Sequence, residues 1–565
     1  MKFRKNKLNL RSCRIMAPAL ILMVGAQPAS AQTVPDPAET YTGTGFTLCI
    51  YKADPALAGL RNPVLFVEGM DLYNVRNQEE LYRQFNQEGL IEELQDYDRD
   101  VIILNFDDAN KKLSNSKSYV GEAIGYINAN RSSISSTNSF TVIGISLGGL
   151  ASRLALAESE NNGIPHGVDT WISLDAPHEG ANLPLSFQKF TEFFTSFPTY
   201  TPELEPLTTL LTALSKEAAK SMLLVHHLNS AHGEAALSES KRDGLVQLLL
   251  ENGYPETCRK IAISNGSGLG ATQPFEPGEQ IFQWENPVLP YIDARMYALP
   301  EAWNQGNNQA KQTFIGIYYM VDGKNEEYTS YYPYSLDNAP GATGNMIAEL
   351  YATLPYIDGD DFLTGSNYCA VPTVSALGIP IEYIDTDLSQ HPEVLALSPF
   401  DEVYTAPGND PVGEINTRTK SHIMRAVLEK ADTDADGYSD YTEYLIGTDF
   451  SSALSVLTCN ADITLSPLTG NASLNFETRP YTRYVISHTE ALGEPWTELY
   501  TLTPATEAQY ISFMSAMTNA SGFFKVTAEP LFTVFDATTL QTTDFPDLVL
   551  ETSPDSGINV IQSTE

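Results

Sequence analysis

Residues 140–158 read FTVIGISLGGLASRLALAE, and this stretch decides the fold of the chain. Its first six residues are mostly apolar or β-branched and predict a buried strand that ends at Ile145. Apolar residues then recur at helical spacing and predict a helix: Leu147, Leu150, Ala151 and Leu154. A buried strand that turns directly into a helix at Ser146 is typical of an α/β protein.

Apolar strands and helices alternate on both sides of this stretch. Further strands are predicted at 63–67, 101–106, 170–174 and 260–264, and helices at 77–95 and 119–129. Because the strands are almost wholly apolar, we expect helices on both faces of a doubly wound, mainly parallel sheet. A helical insertion at about 183–256 has the place of a cap, with an ordinary helical subdomain as the alternative. Residues 271–345 look rich in loops.

The residues around Ser146 fit the pattern GxSxG, as Gly144-Ile145-Ser146-Leu147-Gly148. A serine at a sharp strand-to-helix turn is lifted above the sheet, and the first amides of the new helix point at the same place. Such amides stabilise negative charge that develops on a carbonyl oxygen. The sequence therefore predicts Ser146 as a nucleophile, with the amides of Met70 and Leu147 as oxyanion donors. A plain turn after the first strand is the alternative for Met70.

Three stretches together resemble the α/β-hydrolase superfamily and, within it, the secreted bacterial lipases and esterases. They are PVLFVEGMD at 63–71, GISLGG at 144–149 and WISLDAPHEGANLP at 171–184. The resemblance covers about residues 60–430 and implies hydrolysis of an acyl ester through an acyl-serine intermediate. It also implies that His178 of the PHxG match is structural. Glu68 stands where the family has a histidine, which is a departure.

The catalytic base is open between three interpretations. A serine needs a base, and in this superfamily the base histidine follows the nucleophile and the acid along the chain. His422 begins the last amphipathic helix and is the first choice, and His391 in a polar loop is the second. In the third interpretation there is no base, because Asn409 resembles the start of an Asn-x-x-His segment whose last position is Val412 here.

The acid that would orient the base is predicted as Asp361. The residues around it, with VPTVSA at 371–376, are similar to a lipase pattern that reads GDG, then VP and Ser. The interval between Asp361 and Val371 departs from that pattern. Asp360 and Asp401 are the alternatives, and each of the three can also be an ordinary surface carboxylate.

Residues 432–443, DTDADGYSDYTE, form a complete twelve-position calcium loop by spacing. Oxygen donors at alternate positions, a glycine at position six and a glutamate at position twelve wrap a cation of the size of calcium. The predicted ligands are Asp432, Asp434, Asp436, Tyr438 through its carbonyl, Asp440 and Glu443. The loop resembles EF-hand-like and thrombospondin type 3-like loops of exported bacterial proteins. A structural calcium ion is therefore expected, with an acidic linker as the alternative.

The ends of the chain predict export and a modular organisation. Residues 1–31 have the basic, apolar and small-residue parts of a cleaved secretory signal peptide. We predict a hydrolase domain at 32–430, a calcium-binding linker at 431–454, a β-rich module at 455–528 and an acidic tail at 529–565. Four cysteines outside the signal peptide allow two disulfides in an exported protein.

Composition limits the partners. The chain has 71 acidic against 33 basic residues, a net charge of −38, which excludes nucleic acid as a partner on electrostatic grounds. No segment outside the signal peptide is long and apolar enough to span a bilayer. The expected partner is a small-molecule or lipid ester, and the C-terminal module is either a plain β-sandwich or a contact to carbohydrate or the cell surface.

Two classes of function follow from these patterns. The first is a secreted serine hydrolase that cleaves carboxylic esters, with an acyltransferase as its close variant. The second is an exported binding protein that keeps the hydrolase fold without a working triad. The two differ in whether a histidine lies within hydrogen-bond reach of Ser146.

Overall fold

The structure is a computed structural model that describes residues 34–563. It leaves out, within that range, 73, 75, 133–138, 197–204, 229–232, 235–238, 287–290, 301–311, 320–323, 355–361, 436–438, 447, 453–461, 467–470, 479–481, 490–494, 496, 503–509, 517–522 and 531–558. The predicted signal peptide, Asp360, Asp361 and two predicted calcium ligands, Asp436 and Tyr438, therefore lie outside the described residues.

The first part of the chain alternates strands with helices, as predicted. Its elements are β1 (Glu39–Thr42), β2 (Phe46–Tyr51), β3 (Val64–Val67), α1 (Gln78–Phe85), a 3₁₀ turn (Gln87–Gly89), α2 (Leu90–Asp96), β4 (Val101–Phe106), α3 (Leu113–Asn130), β5 (Thr141–Ile145), α4 (Leu147–Asn161) and β6 (Thr170–Leu174). The insertion that follows holds α5 (Leu185–Thr195), α6 (Glu205–Leu214), α7 (Glu217–Met222), the short β7 (Gly233–Glu234) and α8 (Glu239–Asn252).

The chain then returns to the main sheet and forms a second one. The elements are β8 (Arg259–Ser267), β9 (Gln280–Asn286), β10 (Tyr291–Tyr297), β11 (Gln312–Tyr319), β12 (Lys324–Tyr331), β13 (Gly341–Gly344), α9 (Met346–Thr353), β14 (Phe362–Leu363), β15 (Tyr368–Pro372), α10 (Thr373–Ala376), a 3₁₀ turn (Ile381–Tyr383), α11 (Pro392–Leu395), β16 (Glu402–Ala406), α12 (Thr417–Leu428) and α13 (Asp440–Ile446).

The main sheet has eight strands in the order β1-β2-β4-β3-β5-β6-β8-β16. The six strands from β4 to β16 run parallel, and β1 and β2 form an antiparallel edge. Every residue of β3, β5 and β6 is buried, because helices cover both faces. This confirms the predicted α/β class and places the carboxyl ends of six parallel strands along one edge of the sheet.

The described residues between 280 and 331 form strands, where the sequence suggested loops. Strands β9 to β12 are an antiparallel meander, which β14 and β7 extend to six strands. The prediction of loops was wrong because polar residues and tyrosines are also accommodated in strands that are exposed on one face. In β10 buried and part-exposed positions follow one another irregularly, and helix α5 packs on the meander through aromatic contacts such as Phe190 with Phe282.

The C-terminal region is a separate all-β unit. It consists of β17 (Asp462–Ser466), β18 (Asn471–Glu477), β19 (Thr482–Thr489), β20 (Thr497–Leu502), β21 (Tyr510–Ala516), β22 (Phe523–Pro530) and β23 (Asn559–Ser563). They form two antiparallel sheets, β17-β18-β21-β23 and β20-β19-β22. Strand β23 lies in the segment that the sequence predicted as an acidic tail, and it pairs with β21.

Three of the four cysteines outside the predicted signal peptide are buried free thiols. They are Cys49, Cys258 and Cys369, and burial raises the pKa of each of them. Cys459 lies outside the described residues. None of these three cysteines therefore forms one of the disulfides that the sequence allowed. No helix in the described part of the chain is long and apolar enough to cross a bilayer.

Candidate active site

Ser146 lies at a strained turn between β5 and α4. Its φ is 51° and its ψ is −118°, a conformation that a residue other than glycine adopts only under constraint. The neighbouring glycines are required by space, because a Cβ at Gly148 would lie 2.3 Å from the carbonyl oxygen of Val67 and a Cβ at Gly144 would lie 2.6 Å from the Cα of Gly149. The geometry matches the strand–turn–helix arrangement that the GxSxG pattern predicts.

The loop after β3 lies against Ser146. A Cβ on Gly69 would be 3.1 Å from the Cβ of Ser146, which is a tight contact, so a small residue is favoured here. Arg76 holds the loop by donating to the carbonyls of Gly69 and Met70. Within the described residues, no hydrogen bond engages the amide of Met70 or that of Leu147. Both predicted oxyanion donors thus have free amides close to the serine in the chain fold, which suits the stabilisation of a developing oxyanion.

Glu68 occupies the position at which the resemblance implied a histidine. Its carboxyl group is buried and accepts a hydrogen bond from the amide of Phe106 at the end of β4. Burial raises the pKa of Glu68 to about 8, and the nearby Arg76 opposes that rise. Glu68 therefore links the loop after β3 to the neighbouring strand β4 through a hydrogen bond.

A cavity of about 350 Å³ lies over Ser146. Its walls come from the loop after β3, the helical insertion, the segments around β13 and β15, and the loop after β16. The lining is mostly apolar, and its members from the insertion are Leu183, Leu214, Ala219, Met222 and Leu223. The insertion thus covers the serine as a cap would, and this size is typical of a pocket for one small ligand.

Asp175 is a site residue that sequence reasoning missed. It directly follows β6, the strand beside β5, and its φ of 47° is also strained. Its buried carboxylate accepts hydrogen bonds from the amide of Gly413 at 2.7 Å, from the amide of Asn265 at 2.8 Å and from Asn265 Nδ2 at 3.0 Å. Burial raises the pKa of Asp175 to about 7. The signal in the sequence was an aspartate that directly follows a buried strand next to the nucleophile strand.

The loop after β16 brings Val412 to the cavity. Val412 and Pro411 both line it together with Ser146, and the amide of Val412 donates to the carbonyl of Thr343. The next residue, Gly413, donates to Asp175. An apolar residue therefore lines the cavity of Ser146 at the position next to the one that binds Asp175. This is the position that the third sequence interpretation assigned to the base.

The structure does not bring His422 to Ser146. Its ring stacks on Tyr404 of β16 with centroids 4.0 Å apart. Paired residues run from Ile145 through Leu174 and Ile263 to Tyr404, which is three strand spacings of about 4.8 Å each. Burial, with Arg418 and Arg425 nearby, lowers the pKa of His422 to about 3. The first choice for the base is thus corrected, because helix α12 places the ring on the last strand of the sheet.

Two of the other predicted candidates, His391 and Asp401, also lie away from Ser146. His391 is exposed and pairs with Glu393. Asp401 precedes β16, at the end of the strand away from Ser146, and accepts from the amide of Lys260. Within the described part of the chain, no histidine lines the cavity.

His178 is the histidine to which the resemblance gave a structural role, and it does not line the cavity. It is buried, one ring nitrogen lies 2.9 Å from the hydroxyl of Ser173 and the other lies 3.3 Å from Arg153. Burial lowers the pKa of His178 well below its usual range, so the ring is neutral. It supports the turn after β6 from inside the protein.

The described part of residues 432–443 shows how α13 contacts the α/β part of the chain. Asp440 and Arg99 form a buried ion pair at 2.9 Å, and Thr433 donates to the same carboxylate. Position nine of such a loop often reaches the metal through a water, and the engaged Asp440 fits that mode. In the residues described, no cluster of metal-binding side chains is assembled. The calcium site remains a prediction.

Comparison with known proteins gives the following matches. Residues 61–233 match the family model of the PGAP1-like alpha/beta domain. No curated protein matches the chain significantly in sequence.

Three of the similar solved structures are esterases. A thermostable carboxylesterase cloned from a metagenomic library is 16% identical, with 41% of this chain and 70% of that one covered and a TM-score of 0.26. Brefeldin A esterase, a bacterial homologue of human hormone sensitive lipase, is 14% identical. The match covers 39% of this chain and 66% of that one, with a TM-score of 0.23. An esterase from the archaeon Pyrobaculum calidifontis is 14% identical. The match covers 38% of this chain and 71% of that one, with a TM-score of 0.21. Residues 61–233 are thus similar to the PGAP1-like alpha/beta domain, and they lie in the part of the chain that builds the mainly parallel α/β sheet.

Proposed function

We propose that the protein binds the acyl group of a carboxylic ester in the cavity over Ser146 and turns such esters over only slowly. The scaffold is that of a serine hydrolase, but Val412 stands where the base would act. One observation carries this proposal: Val412 lines the cavity with Ser146, while its neighbour Gly413 is bonded to Asp175. The proposal thus takes up the non-catalytic alternative that the sequence left open.

The chemistry of the site explains why turnover would be slow. When the Oγ of Ser146 attacks an ester carbonyl, the electron pair of the C=O bond moves to the oxygen, where the amides of Met70 and Leu147 can hold the charge. The hydroxyl proton must leave as the new bond forms, and the alkoxide leaving group must gain one. An imidazole performs both transfers in a complete triad. Without it the proton passes to water, and general acid–base catalysis of about 10²–10⁴ is lost.

A complete serine carboxylic-ester hydrolase, of the lipase or esterase type, is the second candidate. The retained strain at Ser146, with φ at 51°, favours it, because strained backbone persists mostly at functional sites. Its base would come from residues that the structure does not describe, and His232 of the helical insertion is one of these. An acyltransferase would use the same groups with an alcohol in place of water.

Comparison of the wild type with Ser146→Ala separates the two candidates. We expect the wild type to bind methyl octanoate in calorimetry. We also expect it to hydrolyse 4-nitrophenyl octanoate less than about tenfold faster than Ser146→Ala, because a serine without a general base adds little to the rate. Turnover in the wild type more than tenfold above that variant would establish the complete hydrolase. His232→Ala would then test the base. Failure of methyl octanoate to bind would refute the proposed acyl site.

We also propose that calcium binds the loop at residues 432–443 and stabilises the docked helix α13. Calcium at a hundredfold excess over its dissociation constant should stabilise the folded chain by about 2.7 kcal/mol. The melting temperature is therefore expected to fall when EGTA removes calcium. Asp434→Asn, which weakens one predicted ligand, should reduce this response. Identical melting curves with calcium and with EGTA would contradict the proposal.

A further inference from the structure

Asn182 is a buried polar residue in the wall of the cavity. It follows the turn after β6 and exposes 5% of its surface. Its backbone amide donates to the carbonyl of Ala370 at 2.8 Å, which joins the entry of the helical insertion to β15. The residue lines the same cavity as Ser146. A polar group in a mostly apolar wall is a feature that sets ligand orientation and specificity.

The orientation of the Asn182 amide is determined by its partners. Its Nδ2 donates to Asp337 Oδ1 at 3.0 Å and to the carbonyl oxygen of Cys369 at 2.9 Å. A carboxylate and a carbonyl are both acceptors, so they accept only from the NH₂ end of the amide. A flipped amide would place its oxygen against both of them. The chemistry of the partners therefore assigns the two ends of this side chain.

The partner Asp337 is itself held in place. Its other carboxylate oxygen accepts from the amide of Leu299 at 2.7 Å, and its carbonyl accepts from the amide of Cys369 at 2.8 Å. Asp337 is fully buried, so its carboxylate cannot turn to solvent. Asn182 is thus anchored from behind by a rigid set of contacts.

Only one polar atom of the Asn182 side chain is left for the cavity. Both hydrogens of Nδ2 are used, and within the described part of the chain no group donates to Oδ1. An acceptor that is almost buried and has no donor costs free energy until a ligand or a water supplies one. The wall around Asn182 therefore selects for a ligand with a hydrogen-bond donor.

We infer that the cavity prefers an ester that carries a free hydroxyl group, which donates to Asn182 Oδ1. This inference rests on the proposed acyl-ester site and names its ligand class more closely. The hydroxyl can belong to the alcohol part or to the acyl part of the ester. A plain alkyl ester fills the apolar volume but leaves Oδ1 without a donor.

The test is calorimetric titration of the full chain as Ser146→Ala, which prevents turnover, with three octanoyl esters. Monooctanoylglycerol carries hydroxyls on the alcohol part, methyl 3-hydroxyoctanoate carries one on the acyl part, and methyl octanoate carries none. We expect at least one hydroxylated ester to bind about fivefold to tenfold more tightly than methyl octanoate, the value of one good hydrogen bond. The ester that gains shows which part holds the hydroxyl.

Asn182→Leu in the same background assigns the preference to this residue. Leucine has a similar volume but no acceptor, so the hydroxylated esters should lose their advantage over methyl octanoate. Equal binding of all three esters before this substitution, or an unchanged preference after it, would overturn the inference. If none of the three binds, the acyl site itself fails. If Asn182→Leu does not fold, Asn182→Ala, which also removes the acceptor, should abolish the preference, and an unchanged preference would again overturn it.

Discussion

Replacement of Val412 by histidine is expected to raise the turnover of 4-nitrophenyl octanoate by about a hundredfold or more. Val412 lines the cavity beside Ser146, and Gly413 next to it donates to Asp175 at 2.7 Å. An imidazole at 412 would therefore enter the cavity that Ser146 lines, one residue from the amide that binds Asp175. A positioned general base contributes about 10²–10⁴ to the rate of such a reaction.

The pH dependence identifies the new base. Only a neutral imidazole accepts the serine proton, so the gained activity should rise with pH through about 6.5, the ordinary pKa of histidine. Val412→Leu is the matched control, because it changes the size of the side chain without adding a base. Equal rates in the histidine and leucine variants, with both proteins folded, would show that position 412 is not the missing corner of a triad.

Replacement of Asp175 by alanine is expected to lower the free energy of unfolding by about 3 kcal/mol. The carboxylate is the acceptor for three N–H groups, two from Asn265 and one from Gly413. Each buried donor that loses its partner costs about 1–3 kcal/mol, and water entering the gap recovers part of this sum. Urea unfolding followed by tryptophan fluorescence measures the change, because Trp171 lies on β6 beside the site.

The effect of this substitution should depend on pH. Burial raises the pKa of Asp175 to about 7, whereas an unfolded aspartate titrates near 4. The folded state therefore holds an extra proton between these values, and the stability that it adds is lost as the pH rises towards 7. The difference between wild type and Asp175→Ala should be greatest at pH 5 and smaller at pH 8.

Asp401→Ala is the matched control for Asp175→Ala. Asp401 also accepts a backbone amide, that of Lys260, but half of its side chain is exposed. Water can replace it there, so a loss of less than about 1 kcal/mol is expected. An equal loss in the two variants would mean that the buried bonds of Asp175 have no special weight.

The sequence predicted the strand–helix order and the position of Ser146 because both are local properties. Periodicity over a few residues determines whether a segment can bury one face or two, and the strands and helices around residues 63–174 followed it. The elbow is local as well, since Gly144 and Gly148 lie within two residues of the serine and are required by backbone contacts there. The same holds for the loop after β3, which needs only a small residue at Gly69.

The tertiary structure decided which groups surround that serine. Asp175 and Gly413 are 238 residues apart and meet because parallel strands present their carboxyl ends at one edge of the sheet. His422 looked suitable along the chain, but helix α12 places it on Tyr404 and not at this edge. Periodicity carries no information on which strands become neighbours. The orientation of the Asn182 amide likewise depends on Asp337 and Cys369, which only the folded chain brings to it.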